Sequence, residues 1–338
     1  LEQAAVNIGG DHVGVVQSRG VVTVSRADQM ISEYDVERVI ASSQAVPLPL
    51  NREIVHIIPR EFTVDGEGKI KSAVGMNGVR LELDALVVYA FSPHVKAVLR
   101  TLSEAGLDAS GTVISGLAGA SAVLSEKEKE IGSVLIDIGA QTCDLAVFEE
   151  GQPIHVAVFP VGSFHISNDI AIGLQLDFDL AEHIKVAYGH CDPEAVSRRD
   201  IITPEMLGGK IDFSISRKEL AHIMEARLEE IFELVNNELS KIGKAALLPG
   251  GVALIGGGAK TSGIADFAKK ELRLSVRLGQ FTGVEGLVGR IDPALFANAV
   301  GLAKWKLETM GYSRKPFSNS MLKGVGGKLK NILQGFLP

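Results

Sequence analysis

The sequence predicts an α/β fold in about two units, turned by glycines, and three observations carry that reading. The chain has 338 residues, which at roughly 150 residues per domain makes about two domains, or one large split fold. It is 46% apolar and 22% charged, with 37 glycines and 5% aromatic residues. That is enough apolar material for a sizeable core, and it rules out a disordered chain. Short apolar strands also run straight into glycine turns, most plainly at Val252–Gly258. Cys143 and Cys191 form no C-x-x-C pair, so neither a disulfide framework nor a cysteine zinc site is expected, and a reducing compartment is.

From the N-terminus, Ala4–Ile8 and Val13–Val16 are short β segments around a Gly9-Gly10 turn, and Val21–Val24 is a third. Across Asp35–Ser42, Val36, Val39 and Ile40 fall on one helical face. Ile54–Ile58 reads as a strand stopped by Pro59, which removes a ladder donor. Glu61–Val64 and Arg80–Val88 alternate or run apolar, with the turn pairs Asp65-Gly66 and Asn77-Gly78 between them. Pro93–Ala105 is a helix whose buried stripe is Val95, Val98, Leu99 and Leu102, with Gly106 as its stop. Val134–Asp137, Asp144–Phe148 and Ile154–Phe159 form an antiparallel meander. Helices follow at His165–Leu174, Leu180–Tyr188 and about Ser216–Ile242. The last buries Leu220, Ile223, Met224, Leu228, Ile231, Leu234, Val235 and Leu239. Then come a buried strand Val252–Ile255, a helix Ser262–Glu271, a strand Val276–Leu278, and a helix Pro293–Thr309 entered through Asp292-Pro293. Gly311–Ser320 is a linker rich in Ser, Pro and Gly, and the last 18 residues form their own amphipathic element.

Charge is unevenly spread. The net charge is −7, yet Thr309–Pro338 holds no acid and five bases, leaving 29 of the 34 bases against all 41 acids in the body. An acidic body argues against nucleic-acid binding, and a basic tail asks for an anionic surface. No run resembles a membrane span: Ala109–Ser125 is broken by Gly, Ser and Thr. No signal peptide opens the chain. The first residue is Leu1 and Ala4–Ile8 already reads as a mid-domain strand, so a truncated N-terminus is expected.

Two segments have the pattern of a phosphate site. In Val134-Leu-Ile-Asp137-Ile-Gly139-Ala-Gln141-Thr142-Cys-Asp144, a buried strand ends in an acid, turns at a glycine and returns through Thr142 and Asp144. Such a turn aims backbone N–H groups at one point, an anion nest. Asp137 would stand where magnesium bridges phosphates through water. The alternative is an ordinary hairpin with a glycine turn. In Val252-Ala-Leu-Ile-Gly256-Gly257-Gly258-Ala-Lys-Thr-Ser-Gly263, a strand runs through three glycines into a helix start, where a ligand can approach bare backbone and the dipole favours anions. Alone this pattern is common; together the two loops could be bridged by one nucleotide. The histidines, including His12, His56, His155, His165, His183 and His222, are scattered, and no Ser-His-Asp or metal set emerges.

The pair of loops resembles the ATP-binding fold shared by actin, sugar kinases and the heat-shock chaperone ATPases. Asp137–Asp144 looks like the second phosphate loop of that superfamily and Gly256–Gly258 like its adenosine loop. The second loop usually reads D-x-G-G-G-T-x-D; here Ala140-Gln141 replaces two glycines, adding bulk near the phosphates. Within the superfamily the chain resembles FtsA, the bacterial cell-division actin homologues. Four stretches carry the resemblance: Asn51–Phe62 with Gly75–Glu82, Ser167–Gly173 followed by Ala181–Lys185, Ser216–Ile231, and the amphipathic C-terminus.

The resemblance implies an actin-like ATPase fold of two ribonuclease H-like halves, the first truncated. Residues 1–16 would be a remnant of the first half, 17–108 the family's inserted subdomain and 109–131 the return to the first half. The second half would hold the phosphate core at 132–168, a partner-binding subdomain at 169–245 and the adenosine loop with a returning helix at 246–310. A linker at 311–320 and a membrane helix at 321–337 would complete it. The first phosphate loop would lie upstream of Leu1. Implied nucleotide contacts are Asp137, Gly139, Gln141, Thr142, Asp144, Glu182, Lys185 and Gly256, Gly257, Gly258, with ATP and magnesium as cofactors. Glu182 and Lys185, three apart on one helix face, could equally be a surface ion pair.

Also implied are self-association into polymers, other division partners and the acidic-ended C-terminal tail of FtsZ as ligand of the long helix. There Arg217, Lys218 and Arg227 could pair with carboxylates or simply lie on a solvated face among Glu219, Glu225, Glu229, Glu230 and Glu233. The expected place is the cytoplasmic face of the bacterial inner membrane at midcell, peripherally bound. Met321, Leu322, Val325, Leu329, Ile332, Leu333, Phe336 and Leu337 supply the apolar face, and Lys323, Lys328 and Lys330 the charge, of a segment too short to span a bilayer. The alternative is a helix docked on its own body or a neighbour subunit. Any ATP hydrolysis is expected to be slow, since no residue is an obvious general base for water. The runner-up functions are a small-molecule kinase, which needs an acid that the sequence does not offer, and a pilus-assembly scaffold, which lacks the Asn51–Glu82 stretch.

Overall fold

A computed structural model describes residues 3–284 and 291–312. The described residues within 1–121, 152–156 and 298–338 form one compact unit, and those within 122–151 and 157–297 another. The expected membrane helix Met321–Leu337 lies outside the described residues.

The first unit opens with β1 (Gln3–Ile8), then β2 (Gly14–Thr23), α1 (Glu33–Ser43), β3 (Arg52–Val64), β4 (Glu67–Ile70), β5 (Arg80–Phe91), α2 (Ser92–Glu104), β6 (Asp108–Ile114) and α3 (Ser115–Val123), the last two residues of which belong to the second unit. β1 and β6 pair in parallel, and β2-β5-β3-β4 form an antiparallel sheet. Helix α1 covers one face of that sheet: Val36, Val39 and Ile40 pack with Ile57, Phe62, Leu81 and Leu83. Its start is fixed by a capping box at Ser32, and the buried Asp35 carboxylate also accepts from the Ser25 amide and hydroxyl. Those donors hold the carboxyl down at about 2 against the burial that opposes them.

Three expectations need correction here. Val13–Val16 and Val21–Val24 are parts of one strand, β2. Between them Gln17 and Arg19 point outward, whereas Ser18 donates to the Ser43 carbonyl of α1 and Gly20 is buried under that helix, where a Cβ would lie 2.1 Å from the Val39 carbonyl. The boundary expected after residue 16 therefore falls inside a strand. Nor does Pro59 stop the strand: β3 continues to Val64 across a register shift between Pro59 and Glu61. Proline is tolerated at such an irregularity, and β4 pairs only with Phe62 and Val64, so β3 has no β4 partner at Pro59.

The second unit starts in α3 and continues with α4 (Glu126–Ile131), β7 (Ser133–Ile138), β8 (Cys143–Glu149), the last three residues of β9 (Gln152–Phe159), α5 (Ser163–Gly173), α6 (Phe178–Tyr188), the short pair β10 (Ile201–Ile202) and β11 (Ile215–Ser216), α7 (Arg217–Lys241), β12 (Gly251–Ile255), α8 (Ile264–Leu272) and β13 (Val276–Leu278). The sheet order is β13-β12-β7-β8-β9, with β12 parallel to β7 and β8 antiparallel to it. All six residues of β7 and all five of β12 are buried, as expected for central strands covered on both faces. The boundary expected after residue 168 falls inside α5. α7 buries Leu220, Met224, Leu228, Ile231, Val235 and Leu239 of the expected stripe together with Ala221 and Phe232, while Ile223 and Leu234, expected with them, are only half-buried. α9 (Pro293–Tyr312) runs past Thr309 into the expected linker. Within the first unit α9 presses on α3 so closely that a Cβ at Gly301 would sit 1.7 Å from the Ala118 carbonyl.

Candidate functional site

The hairpin β7–β8 places Asp137 and Asp144 directly opposite each other. Both are buried, at 6% and 7% exposure. Burial first, and the neighbouring Asp137 charge second, push the Asp144 carboxyl up to about 7. The same surroundings push the buried Cys143 thiol well above its ordinary value, so it is not a nucleophile. Between the strands, the Gly139 amide donates to the Thr142 carbonyl at 2.9 Å, closing the turn. Gln141 is exposed and Thr142 half-buried at its rim.

The turn is held from behind by the first turn of α5. The Ser163 amide and hydroxyl donate to the Gly139 carbonyl at 2.9 and 3.0 Å, and the Phe164 amide donates to the Ala140 carbonyl at 2.7 Å. Gly162 permits that approach, since a Cβ there would sit 2.6 and 2.7 Å from the two carbonyls. Sequence reading missed Gly162 and Ser163. Their signal was a glycine at a strand-to-helix junction, the same signal that marked Gly256.

The second loop arrives on the adjacent strand. Ile255 of β12 is the register partner of Asp137, so Gly256 follows beside the carboxylate. A Cβ on Gly256 would sit 2.4 Å from Asp137 Oδ1, and its φ is +89°. A Cβ on Gly258 would meet Ile138 Cγ2 at 2.3 Å, while one on Gly257 meets nothing within 4 Å. The Gly256 amide donates to the Ala294 carbonyl at 2.8 Å, and Lys260 pairs with Asp292 at 2.6 Å, which fixes the turn to the start of α9. The three glycines thus differ. Gly256→Ala is expected to lower unfolding stability by about 2–4 kcal/mol, combining positive-φ strain with overpacking. Gly257→Ala is expected to stay within about 0.5 kcal/mol of wild type. Denaturant melts of the two variants check this; equal stabilities would disprove the distinction.

Glu182 and Lys185 form an ion pair at 2.7 Å. The lysine side chain is 9% exposed and the glutamate 42%. Arg227 does not stand on a solvated face: it makes a two-pronged pair with Asp169 of α5, at 2.6 and 2.9 Å, and also reaches Glu230. Arg217 donates to the Tyr188 carbonyl at 2.8 Å, and Lys218 pairs with Glu194 at 2.7 Å. All three cations are therefore engaged in tying α7 to its own unit.

The fold, with a carboxylate hairpin and a glycine turn on neighbouring strands, is that of the actin-like ATPases. Among solved structures, the PilM-PilN type IV pilus biogenesis complex is similar with a TM-score of 0.59 at 20% identity, over 88% of this chain and 78% of that one. MreB5 of Spiroplasma citri bound to AMPPNP has a TM-score of 0.51 at 19% identity, over 64% and 65%. Likeness at such identities shows the fold alone.

The sequence relatives are more particular. The family described as cell division protein FtsA matches residues 134–301, and the SHS2 domain inserted in FtsA matches residues 10–89. The FtsA of Borreliella burgdorferi is 34% identical over 98% of this chain and 78% of its own length. That of Pseudomonas aeruginosa is 32% identical over 99% and 82%, and that of Bacillus subtilis 34% over 90% and 68%. The chain belongs to the FtsA family of actin-like cell-division proteins.

Proposed function

We propose that this protein binds ATP with magnesium, self-associates into actin-like polymers and tethers FtsZ to the cytoplasmic membrane at the division ring. The observation that supports nucleotide binding is the meeting of Asp137, Asp144 and the Gly256–Gly258 turn on adjacent strands. Magnesium, when bound, neutralises phosphate charge. Asp137 would hold it through water, and Asp144 would give up its proton as the cation arrives. Among the described residues no cluster of three or more His, Cys, Asp or Glu side chains is arranged to hold a metal, so such a cation draws its other ligands from phosphate and water. Gly139, Gln141 and Thr142 would face the phosphates, and Glu182, with the bare backbone at Gly257, the adenosine. The open space at Gly257 is the feature that fits a ligand. Gly257→Val in the full-length protein is therefore expected to fold normally and lose Mg-ATP binding by calorimetry; wild-type affinity would remove the adenosine assignment. Any hydrolysis at this site is slow.

The partner reading rests on residues 169–245. Ile172, Val186, Ile201, Met206 and Phe213 there are 69%, 74%, 51%, 48% and 44% exposed, which suits an apolar peptide contact with the FtsZ tail. Because Arg227 is committed to Asp169, Arg227→Glu sets like charges together. Together with Arg217→Glu it is expected both to weaken tail-peptide binding and to lower stability by about 3 kcal/mol. Adding Asp169→Arg to Arg227→Glu should recover most of the stability in thermal melts. Unchanged peptide affinity in the double reversal would take Arg217, Lys218 and Arg227 out of the interface.

The other division partners, midcell placement and peripheral attachment through Met321–Leu337 belong to the same proposal. So does the arrangement of subdomains, with an insertion after the first-half remnant and a partner-binding part at 169–245.

A further inference from the structure

The Lys185 ammonium is fully engaged within its own unit. Its ammonium donates to the Ser163 carbonyl at 2.9 Å, the Ser167 hydroxyl at 2.8 Å and Glu182 Oε2 at 2.7 Å. An ammonium has three donors, and these acceptors take all of them. Ser167 is fully buried and donates to the same Glu182 oxygen. Glu182 keeps an exposed side, whereas the lysine is almost covered. Ser163, the residue whose carbonyl Lys185 grips, is also the residue whose amide and hydroxyl hold the Gly139 carbonyl of the hairpin.

We propose that Lys185 is a positioning residue that ties the adenosine-side carboxylate Glu182 to the phosphate-side hairpin through Ser163, so that the two ends of the nucleotide site are set as one piece. This rests on the nucleotide reading of the site. The physical reason is the cost of stranding a covered ammonium: α6 cannot shift against the first turn of α5 without leaving a charge unpaired. That first turn cannot shift without releasing the Gly139 and Ala140 carbonyls. A residue that only met ribose or adenine would have no hold on the hairpin.

The test compares Mg-ATP with magnesium tripolyphosphate, which lacks the nucleoside, in calorimetry on the full-length protein. Lys185→Met is expected to weaken both by about tenfold, the effect of losing a charged hydrogen bond that organises the site. Loss of ATP affinity with tripolyphosphate unchanged would mean that Lys185 touches the nucleoside directly, and no change in either would mean that it positions nothing; both outcomes overturn the proposal. Lys185→Gln, which keeps a donor pair, replaces the Met variant if that one does not fold, with the same outcomes. Wild type that binds neither ligand defeats the nucleotide reading instead. The tie itself is then decided by amide exchange without ligand. Ser163 and Phe164 must exchange faster in the Lys185 variant, and equal rates overturn it.

Discussion

Asp137→Ala in the full-length protein is expected to abolish Mg-ATP binding in calorimetry while leaving the fold intact. The carboxylate is one of two acids at the base of the hairpin, and its loss removes the group that would orient the metal-bound water. The smaller side chain introduces no clash beside Gly256, whose backbone follows the register partner Ile255 and lies close to the carboxylate. The variant should also relax Asp144. With its partner charge gone, the Asp144 carboxyl loses one of the two causes that raise it to about 7 and should titrate lower.

Asp144 has a folded pKa above its ordinary value of 3.8, so folding favours its protonated form. The penalty for its charge is absent below about pH 4, grows between there and pH 7, and is fully present above. Without nucleotide, the wild type should lose stability over that window, by a few kcal/mol at most, and Asp144→Asn should not. Equal pH profiles for the two would sink the carboxylate-pair argument, and undiminished ATP affinity in Asp137→Ala would sink the phosphate assignment.

Deleting the chain after Ser320 is expected to abolish sedimentation with anionic vesicles. Met321–Leu337 would make a helix roughly 25 Å long at about 1.5 Å per residue. Leu322, Val325, Leu329, Ile332, Leu333 and Phe336 fall at helical spacing, with Lys323, Lys330, Asn331 and Gln334 opposite. Gly324, Gly326 and Gly327 each oppose a helix in water by roughly 1 kcal/mol relative to Ala. Burial of the apolar face in lipid offsets that cost. Each lysine or arginine adds about 1 kcal/mol near an anionic surface, less with salt. Among the described residues no helix is long and apolar enough to cross a membrane; the tail is proposed as an anchor on its own apolar and basic pattern. Phe336→Glu should behave like the deletion. If wild type and both variants pellet equally, the tail is not what holds the protein to lipid.

Much of the fold was legible because it was periodic. The stripe of α7 could be read from Leu220 to Leu239, but Phe232 could not. It sits beside Ile231, off the stripe, and is buried because α8 brings Phe267 to within 6.0 Å of it, centroid to centroid. Pro59 misled because its effect depends on whether a neighbour strand needs the missing donor, and only the sheet order answers that. For the site, each loop could be recognised singly. That Gly256 touches Asp137 depends on β12 lying parallel to β7 in one particular register, which no local pattern encodes. The engagement of Arg227 by Asp169 was hidden for the same reason: the partners are 58 residues apart in the chain.

The sheet topology also sets an order of assembly. The sheet β2-β5-β3-β4 and its helix α1 come from one unbroken run of chain, so they can close as soon as that run leaves the ribosome. β7 cannot: its parallel neighbour β12 is made only after α7. Until then a strand apolar on both faces waits with one edge unpaired, the kind of edge that captures other chains. Immediately before it stands α4, Glu-Lys-Glu-Lys-Glu-Ile, a run of charge flanking the exposed segment as a gatekeeper does. Neutralising Glu126, Lys127 and Glu130, with Glu128 kept because its carboxylate caps α4 and pairs with Arg277, should leave the finished fold little changed and cost yield during synthesis.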